Sequence, residues 1–253
     1  MKVAVIGLGS MGMGVAASLL RAGHEVSGND VRKEAGEALA RLGGRACGSP
    51  AEAAAGAQAA VLLVVNAAQV EDALSGKLTI MASGAPEAFA ACEPVLSAIA
   101  AKVYRLGDRP GPGSQVKLVN QLLAGAHIAV AAEAMALAIR LGADPRAVYE
   151  VITNSAGGSW MFQNRMAHVL DGDYAPRSAV NIFVKDLGIV LEAAKKNLFP
   201  TPMAATAHQL FTMAAAHGHG GEDDAAVIKV FSALAGIELP APAAPGDDAG
   251  RKA

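Results

Sequence analysis

The sequence has little cysteine, few aromatic residues and no surplus of positive charge. It has 253 residues, two of them cysteines, and aromatic residues make up 4%. Two cysteines cannot form a disulfide framework, and they indicate a reducing compartment, so we expect a cytoplasmic protein. The net charge of −2 and the scarcity of aromatic side chains argue against a nucleic-acid binder, which needs basic residues for phosphates and rings for base stacking.

Long uninterrupted hydrophobic segments are also scarce. The apolar N-terminus contains glycines at positions 7, 9, 12 and 14, which disfavours a signal peptide. A second apolar stretch, Leu118–Ile139, contains Asn120, Gln121, His127 and Glu133, which are costly in lipid. We therefore predict a buried helix here and no membrane partner. The only clustered histidines, His217 and His219, lack an organised third ligand, so no metal site is predicted.

The first half of the chain alternates short apolar strands with helical segments, and the second half is helical throughout. This alternation predicts βαβ units and a parallel sheet. We expect an α/β fold: a Rossmann-type domain in residues 1–110, an all-α domain in 111–238 and a disordered tail in 239–253. The predicted strands are 2–6, 24–27, 59–65, 78–81 and 102–105, and the predicted helices are 11–21, 32–42, 69–74, 87–101, 114–140, 145–154, 159–170, 179–196, 202–216 and 222–235.

A glycine-rich loop follows the first predicted strand and opens the first predicted helix. In such a loop, the first glycine allows a tight turn, the second lets the backbone approach a pyrophosphate, and the third lets the helix pack on the strand. The helix N-terminus then presents free N–H groups to the phosphates. The candidate cofactor-binding residues are Gly7, Leu8, Gly9, Ser10, Met11 and Gly12, which fit the pattern G-x-G-x-x-G.

An acidic residue lies where a dinucleotide site requires one. Asp30 follows the second predicted strand, and a carboxylate at this place binds the adenosine ribose hydroxyls and repels a 2′-phosphate. We therefore predict NAD rather than NADP as the cofactor. Arg32 is the residue that could hold a 2′-phosphate instead.

Two polar residues begin the long apolar helix. Lys117 and Asn120 are three residues apart, so they share a helix face. A buried lysine is costly unless it is paired or deprotonated, whereas a lysine in the first turn can also extend to solvent. The sequence leaves both placements open. Lys185 and Asp186 likewise form either a solvated ion pair or part of a site.

Three motifs, in this order, resemble the β-hydroxyacid dehydrogenase family, which includes 3-hydroxyisobutyrate dehydrogenase and tartronate semialdehyde reductase. They are the glycine loop, the Gly-x-x-x-Lys-x-x-Asn element at 113–120 and the Val-Lys-Asp-Leu-Gly segment at 184–188. The resemblance covers residues 1–239 and implies NAD-dependent oxidation of a small hydroxy acid in a homodimer or homotetramer. Segments 120–125, 155–162 and 172–178 most resemble the branch that oxidises L-threonate to 2-oxo-tetronate, with 3-hydroxyisobutyrate and tartronate semialdehyde chemistry as alternatives.

The resemblance also implies roles for individual residues. Lys117 is the acid/base, which takes the hydroxyl proton during oxidation while hydride leaves for the cofactor. To do so it must be neutral, with a pKa lowered from the free value of about 10.4. Asn120 orients the hydroxyl or carboxylate of the substrate. Lys185 contacts the cofactor, and Asp186 is its structural partner.

The chain departs from this family in one place. Members carry more residues between the strand at 59–65 and the strand at 78, including a further strand and helix and a loop that holds the substrate carboxylate. Here Gly76 is followed directly by Lys77. The half of the sheet that binds adenosine and pyrophosphate is complete, and the half beside nicotinamide and substrate is truncated. A non-catalytic, cofactor-binding remnant is therefore the second interpretation.

Overall fold

The computed structural model describes residues 1–63 and 78–241. The chain divides into two compact units, one from Met1 to Lys117 and one from Leu118 onward. Three predictions fall outside the described residues: the helical segment 69–74, the junction between Gly76 and Lys77, and the tail beyond residue 241.

The first unit alternates strands and helices, as expected. Its described elements are β1 (Lys2–Ile6), α1 (Ser10–Arg21), β2 (Glu25–Asn29), α2 (Lys33–Arg41), β3 (Arg45–Ala46), α3 (Pro50–Ala54), β4 (Ala59–Leu62), β5 (Leu78–Ala82), α4 (Pro86–Ile99), β6 (Ala100–Arg105) and the start of α5 (Pro112–Arg140).

The described strands form two parallel sheets. The first has the order β3-β2-β1-β4, and β5 pairs with β6 in the second. Val3, Ala4 and Val5 of the central strand β1 are fully buried, as expected for a parallel strand covered on both faces. The predicted α/β fold with a parallel sheet is therefore confirmed.

Some boundaries in this unit differ from the predicted ones. β2 runs to Asn29 rather than residue 27, so Asp30 follows its last residue directly. β4 ends at Leu62, and residues 64 and 65 of the predicted strand lie outside the described range. The elements β3 and α3 were not predicted. They have two and five residues, too few to show a period, although the Ser49 hydroxyl caps α3 by accepting a hydrogen bond from the Glu52 N–H.

The second unit is helical, which confirms the second part of the predicted fold. It contains most of α5, then α6 (Pro145–Thr153), α7 (Trp160–Asp171), α8 (Val180–Lys196), α9 (Pro202–Ala214), a π-helical turn (Ala215–His219), a 3-10 turn (Asp224–Val227) and α10 (Ile228–Ala235).

The core of the second unit forms where α5, α8 and α9 pack together. Ile128 and Met135 of α5 are fully buried with Leu187 of α8, and the rings of Phe183 and Phe211 stack with centroids 5.1 Å apart. By length and mean hydropathy (1.9), α5 could span a membrane, but 44% of that window is buried inside the protein. One face of α5, with Ile128 and Met135, packs in the core of this unit.

A buried ionic cluster joins α7 to the 3-10 turn. The Arg165 guanidinium donates hydrogen bonds to both carboxylate oxygens of Asp224, whose side chain is 0% exposed. Next to it, Asp223 accepts from the His168 ring at 3.0 Å and from the Arg177 N–H at 3.1 Å. Burial raises the pKa of Asp224 to about 6, although Arg165 acts to lower it. Arg165 therefore supplies the counter-charge that the buried Asp224 carboxylate needs.

Replacing Arg165 by Met should lower the free energy of unfolding by about 3–5 kcal/mol, because Asp224 is left buried without its counter-charge. Burial already raises the folded-state pKa of Asp224 in the parent protein, and the loss of Arg165, which acts to lower this pKa, raises it further in the variant. The folded state therefore binds the proton more tightly, and stability falls as the pH rises. The deficit should be smaller near about pH 5 than near about pH 8.

Urea unfolding at both pH values, followed by circular dichroism and by the fluorescence of Trp160, measures this effect. Arg177→Met is the matched control, because Arg177 forms an exposed ion pair with Asp173 and exposed pairs contribute little. Equal losses in the two variants would contradict the prediction.

Candidate active site

The turn from β1 into α1 depends on two glycines. Gly7 has a φ of +91°, a value that favours glycine, and its N–H donates to the Asn29 carbonyl at 2.8 Å. A Cβ on Gly12 would lie 1.8 Å from the Gly7 carbonyl oxygen. The strand end and the helix are therefore in direct backbone contact, which any larger residue at position 12 would prevent.

Gly9 differs from Gly12 because it has space around it. A Cβ on Gly9 would meet nothing within 4 Å. Gly9 is also the N-cap of α1 and has no side chain to accept hydrogen bonds from the first-turn N–H groups. The first turn of α1 therefore has no side-chain cap, and the N-terminus of a helix without such a cap suits a phosphate.

Asp30 is fixed against this loop. One carboxylate oxygen accepts from the Leu8 N–H at 2.7 Å, and the other accepts from the N–H and Nε of Arg32 at 2.9 and 3.1 Å. Burial acts to raise the pKa of Asp30, but the hydrogen bonds from Arg32 and Leu8, with the charge of Arg32, hold it below the usual value. Asp30 is therefore an oriented carboxylate at the end of β2.

Arg32 is turned toward the protein. Its Nη2 donates to the Leu8 carbonyl at 3.3 Å while its Nε bonds Asp30, and its side chain remains 60% exposed. Leu8 thus hydrogen-bonds to both residues: its N–H donates to Asp30, and its carbonyl accepts from Arg32.

Lys117 lies one turn after the point where α5 meets β5. A Cβ on Gly113 would lie 2.6 Å from the Met81 carbonyl oxygen, and the Gly113 N–H donates to the Ser83 hydroxyl at 3.0 Å. These contacts within the first unit fix the start of α5. The side chain of Lys117 is exposed, so of the two placements that the sequence left open, the structure shows the solvent-facing one.

The second unit brings four polar residues into one chain of contacts. Lys185 forms an ion pair with Asp186 at 3.0 Å, and the other Asp186 oxygen accepts from the Gln121 amide at 2.6 Å. The Asn120 amide donates to the Gln121 oxygen at 3.1 Å. Gln121 was not among the predicted site residues. Its sequence signals are that it is an amide in an apolar helix and that it lies in the segment 120–125 that carries part of the family resemblance.

Among residues 1–63 and 78–241, no group of three or more His, Cys, Asp or Glu side chains is placed to bind a metal ion. The predicted site residues thus lie in three places: the glycine loop with Asp30 in the first unit, Lys117 at its end, and the polar chain from Asn120 to Lys185 in the second.

Comparison with known families accounts for nearly the whole chain. A family model described as the NAD-binding domain of 6-phosphogluconate dehydrogenase matches residues 2–75 and 70–107, and one described as NAD-binding of NADP-dependent 3-hydroxyisobutyrate dehydrogenase matches 111–231. An L-threonate dehydrogenase from Cupriavidus necator is 48% identical, with 94% of this chain and 98% of that protein aligned. The chain belongs to the β-hydroxyacid dehydrogenase family.

Other members of the family are similar to this chain in sequence and in structure. An L-threonate dehydrogenase from Escherichia coli K12 is 45% identical, with 94% of this chain and 96% of that protein aligned. The crystal structure of a 3-hydroxyisobutyrate dehydrogenase from Salmonella typhimurium superposes with a TM-score of 0.80 at 45% identity, covering 90% of this chain and 99% of that one. The predicted family, the NAD-dependent hydroxyacid dehydrogenase class and an NAD(P) cofactor are confirmed.

This chain is shorter than the family members with which it aligns. The alignment with the Cupriavidus protein spans 293 positions, but 94% of 253 residues is about 238, so about 55 positions have no counterpart here. The 6-phosphogluconate dehydrogenase model matches in two pieces that meet at residues 70–75. The missing stretch therefore falls close to the predicted junction.

The two glycines should separate folding from cofactor binding. Gly12→Ala should lower the melting temperature, because its Cβ collides with the Gly7 carbonyl. Gly9→Ala should leave the melting temperature unchanged, because its Cβ has space. It should nevertheless weaken NADH binding about tenfold or more, since the second glycine of this pattern is where the backbone approaches the pyrophosphate.

Thermal unfolding and an NADH fluorescence titration measure the two effects. If Gly9→Ala binds NADH as tightly as the parent protein, the loop is not the cofactor site. Gly221→Ala is a suitable control, because Gly221 also has space for a Cβ, does not need a positive φ and lies away from the loop.

Proposed function

We propose that this protein oxidises L-threonate to 2-oxo-tetronate, with NAD as the oxidant. The observation that carries the proposal is the 44–48% identity to L-threonate dehydrogenases of several bacteria over 94% of the chain. The 45% identity to the Salmonella 3-hydroxyisobutyrate dehydrogenase supports 3-hydroxyisobutyrate as an alternative substrate. Tartronate semialdehyde is the other alternative, by resemblance to the family.

In the proposed reaction, each of three side chains has a different role. NAD supplies the hydride acceptor that oxidation of an alcohol requires. Lys117 takes the proton of the substrate hydroxyl, and Asn120, on the same face of α5, hydrogen-bonds the hydroxyl or carboxylate. Lys185 contacts the cofactor, and its ion pair with Asp186 restricts where its ammonium lies.

The preference for NAD over NADP is argued from Asp30. Its carboxylate is ionised and held in place by hydrogen bonds from Leu8 and Arg32. A fixed negative charge here favours ribose hydroxyls and opposes a 2′-phosphate. The Arg32 guanidinium is engaged by Asp30 and the Leu8 carbonyl, which makes it less available to bind that phosphate.

A second candidate function is cofactor binding without turnover. The observation that favours it is the absence of about 55 aligned positions from the substrate side of the cofactor domain. Everything in the adenosine half lies before that junction, so NAD binding does not require the missing stretch.

An assay of NADH formation should distinguish these functions. With NAD and a panel of hydroxy acids, we expect turnover with L-threonate above 3-hydroxyisobutyrate, and less with NADP than with NAD. Lys117→Met should lower kcat by about 100-fold or more, because general acid–base catalysis contributes on that scale, while NADH binding stays within about twofold of the parent.

Lys102→Met is the control, since Lys102 lies on β6 with its ammonium over the ring of Tyr104. Turnover of Lys117→Met within tenfold of the parent would exclude Lys117 as the acid/base. NADH binding with no turnover on any acid would support the cofactor-binding remnant instead.

We also propose that the protein is a cytoplasmic homodimer or homotetramer that associates through α5. Both cysteines, Cys47 and Cys92, are free, which suits a reducing compartment. Leu123, Val130 and Leu137 are about half exposed and lie seven residues apart, the spacing of a helix–helix seam. A second copy offers the same stripe of three apolar residues, as a two-fold interface requires.

Changing Leu123 and Val130 together to Glu should convert the protein to its 25.4 kDa monomer, because two charges per copy would be buried against each other. Size-exclusion chromatography with light scattering measures the mass. Val151→Glu is the control, as Val151 is an exposed residue of α6 outside the stripe. A parent protein that is already monomeric would refute the association.

A further inference from the structure

Gln121 connects two residues that otherwise lie far apart in sequence. Its amide donates to Asp186, 65 residues further along, at 2.6 Å, and its carbonyl oxygen accepts from Asn120 at 3.1 Å. The second oxygen of Asp186 pairs with Lys185 at 3.0 Å. The nitrogen and the oxygen of the Gln121 amide are thus both hydrogen-bonded.

The approach of α5 to α8 makes this contact possible. A Cβ on Gly125 would lie 2.9 Å from the Leu187 methyl groups and 3.0 Å from the Phe183 ring. Because Gly125 has no side chain, the two helices pack closely at this point. Gln121 lies one turn before Gly125, and Asp186 directly precedes Leu187, so the amide and the carboxylate meet at the edge of that packed contact.

Because Asp186 is largely buried, it depends on the hydrogen bond from the Gln121 amide. The Asp186 side chain is 15% exposed and that of Lys185 is 41% exposed. A carboxylate with little access to water needs hydrogen-bond donors, and losing one leaves an oxygen unsatisfied. The amide and the ammonium together therefore determine where the carboxylate lies, and the carboxylate determines where the Lys185 ammonium lies.

We propose that Gln121 is a positioning residue for the reaction. It holds Asp186, and through Asp186 the Lys185 ammonium, at a fixed place relative to the Asn120 amide. This inference rests on the proposed function, which assigns Asn120 to the substrate and Lys185 to the cofactor. Gln121 itself acts through its neighbours.

A double-mutant cycle tests the proposal. Gln121→Met keeps the length of the side chain and removes both hydrogen bonds, Asp186→Leu removes the carboxylate, and the third variant carries both changes. Gln163→Met is the control, because Gln163 is an exposed glutamine on α7 of the same unit. If Gln121→Met lowers the melting temperature, Gln121→Asn, whose shorter amide cannot reach Asp186, replaces it.

The first readout needs neither cofactor nor turnover. Mass spectrometry follows acylation of the Lys185 amine relative to Lys195, an exposed lysine of the same helix. Gln121→Met should raise this ratio about three- to tenfold, the equivalent of one net hydrogen bond. The double variant should match Asp186→Leu alone, because Gln121 acts through Asp186.

The second readout is NADH affinity together with kcat and KM for L-threonate. Gln121→Met should weaken NADH binding by a similar factor and raise KM, since Asn120 also loses its partner. An unchanged Lys185 acylation ratio, or additive effects in the double variant, would overturn the proposal. If the parent protein turns over no hydroxy acid, the acylation ratio still decides on Gln121, and only the proposed function fails.

Discussion

The backbone contact between Gly7 and Gly12 is the constraint on which the cofactor half of the protein depends. The Gly7 carbonyl occupies the space that a Cβ at position 12 would need, so β1 and α1 can meet only while that position is glycine. This contact sets where α1 begins, and therefore where its first N–H groups and Gly9 lie. Asp30 then joins the same loop through Leu8. A steric contact and one oriented carboxylate thus produce the arrangement that we propose binds the pyrophosphate and the ribose.

The helical unit uses polar groups in a different way. Arg165 and Asp224 are buried where α7 meets the 3-10 turn, and their pairing fixes how those segments pack. Gln121 and Asp186 do the same for α5 and α8, but at a place where Asn120 and Lys185 are also in contact with them. The first pair contributes to the fold, whereas the second connects the fold to the side chains proposed for chemistry.

Local features of this chain could be predicted from the sequence, and contacts between distant residues could not. The glycine loop, the strand before it and Asp30 depend on residues within about one βαβ unit of each other, so their pattern is visible in the sequence. The hydrogen bond from Gln121 to Asp186 joins residues on two helices 65 positions apart, and no periodicity signals it. The exposure of Lys117 likewise depends on its neighbours in space. β3 and α3 were missed because periodicity needs longer segments than theirs.

The parts of the cofactor unit on either side of the missing stretch keep their packing contacts. The shortened second part of the cofactor unit still contributes α4, whose Val95 and Ile99 are buried in one core with Val15 and Leu19 of α1. Apolar burial therefore holds this part against the cofactor half without the lost strand. β5 still ends against Gly113, so the start of α5 and the place of Lys117 are fixed as well. The loop that the family resemblance assigns to the substrate carboxylate falls in the missing stretch, whereas the glycine loop and the helix that carries the proposed base are present and supported.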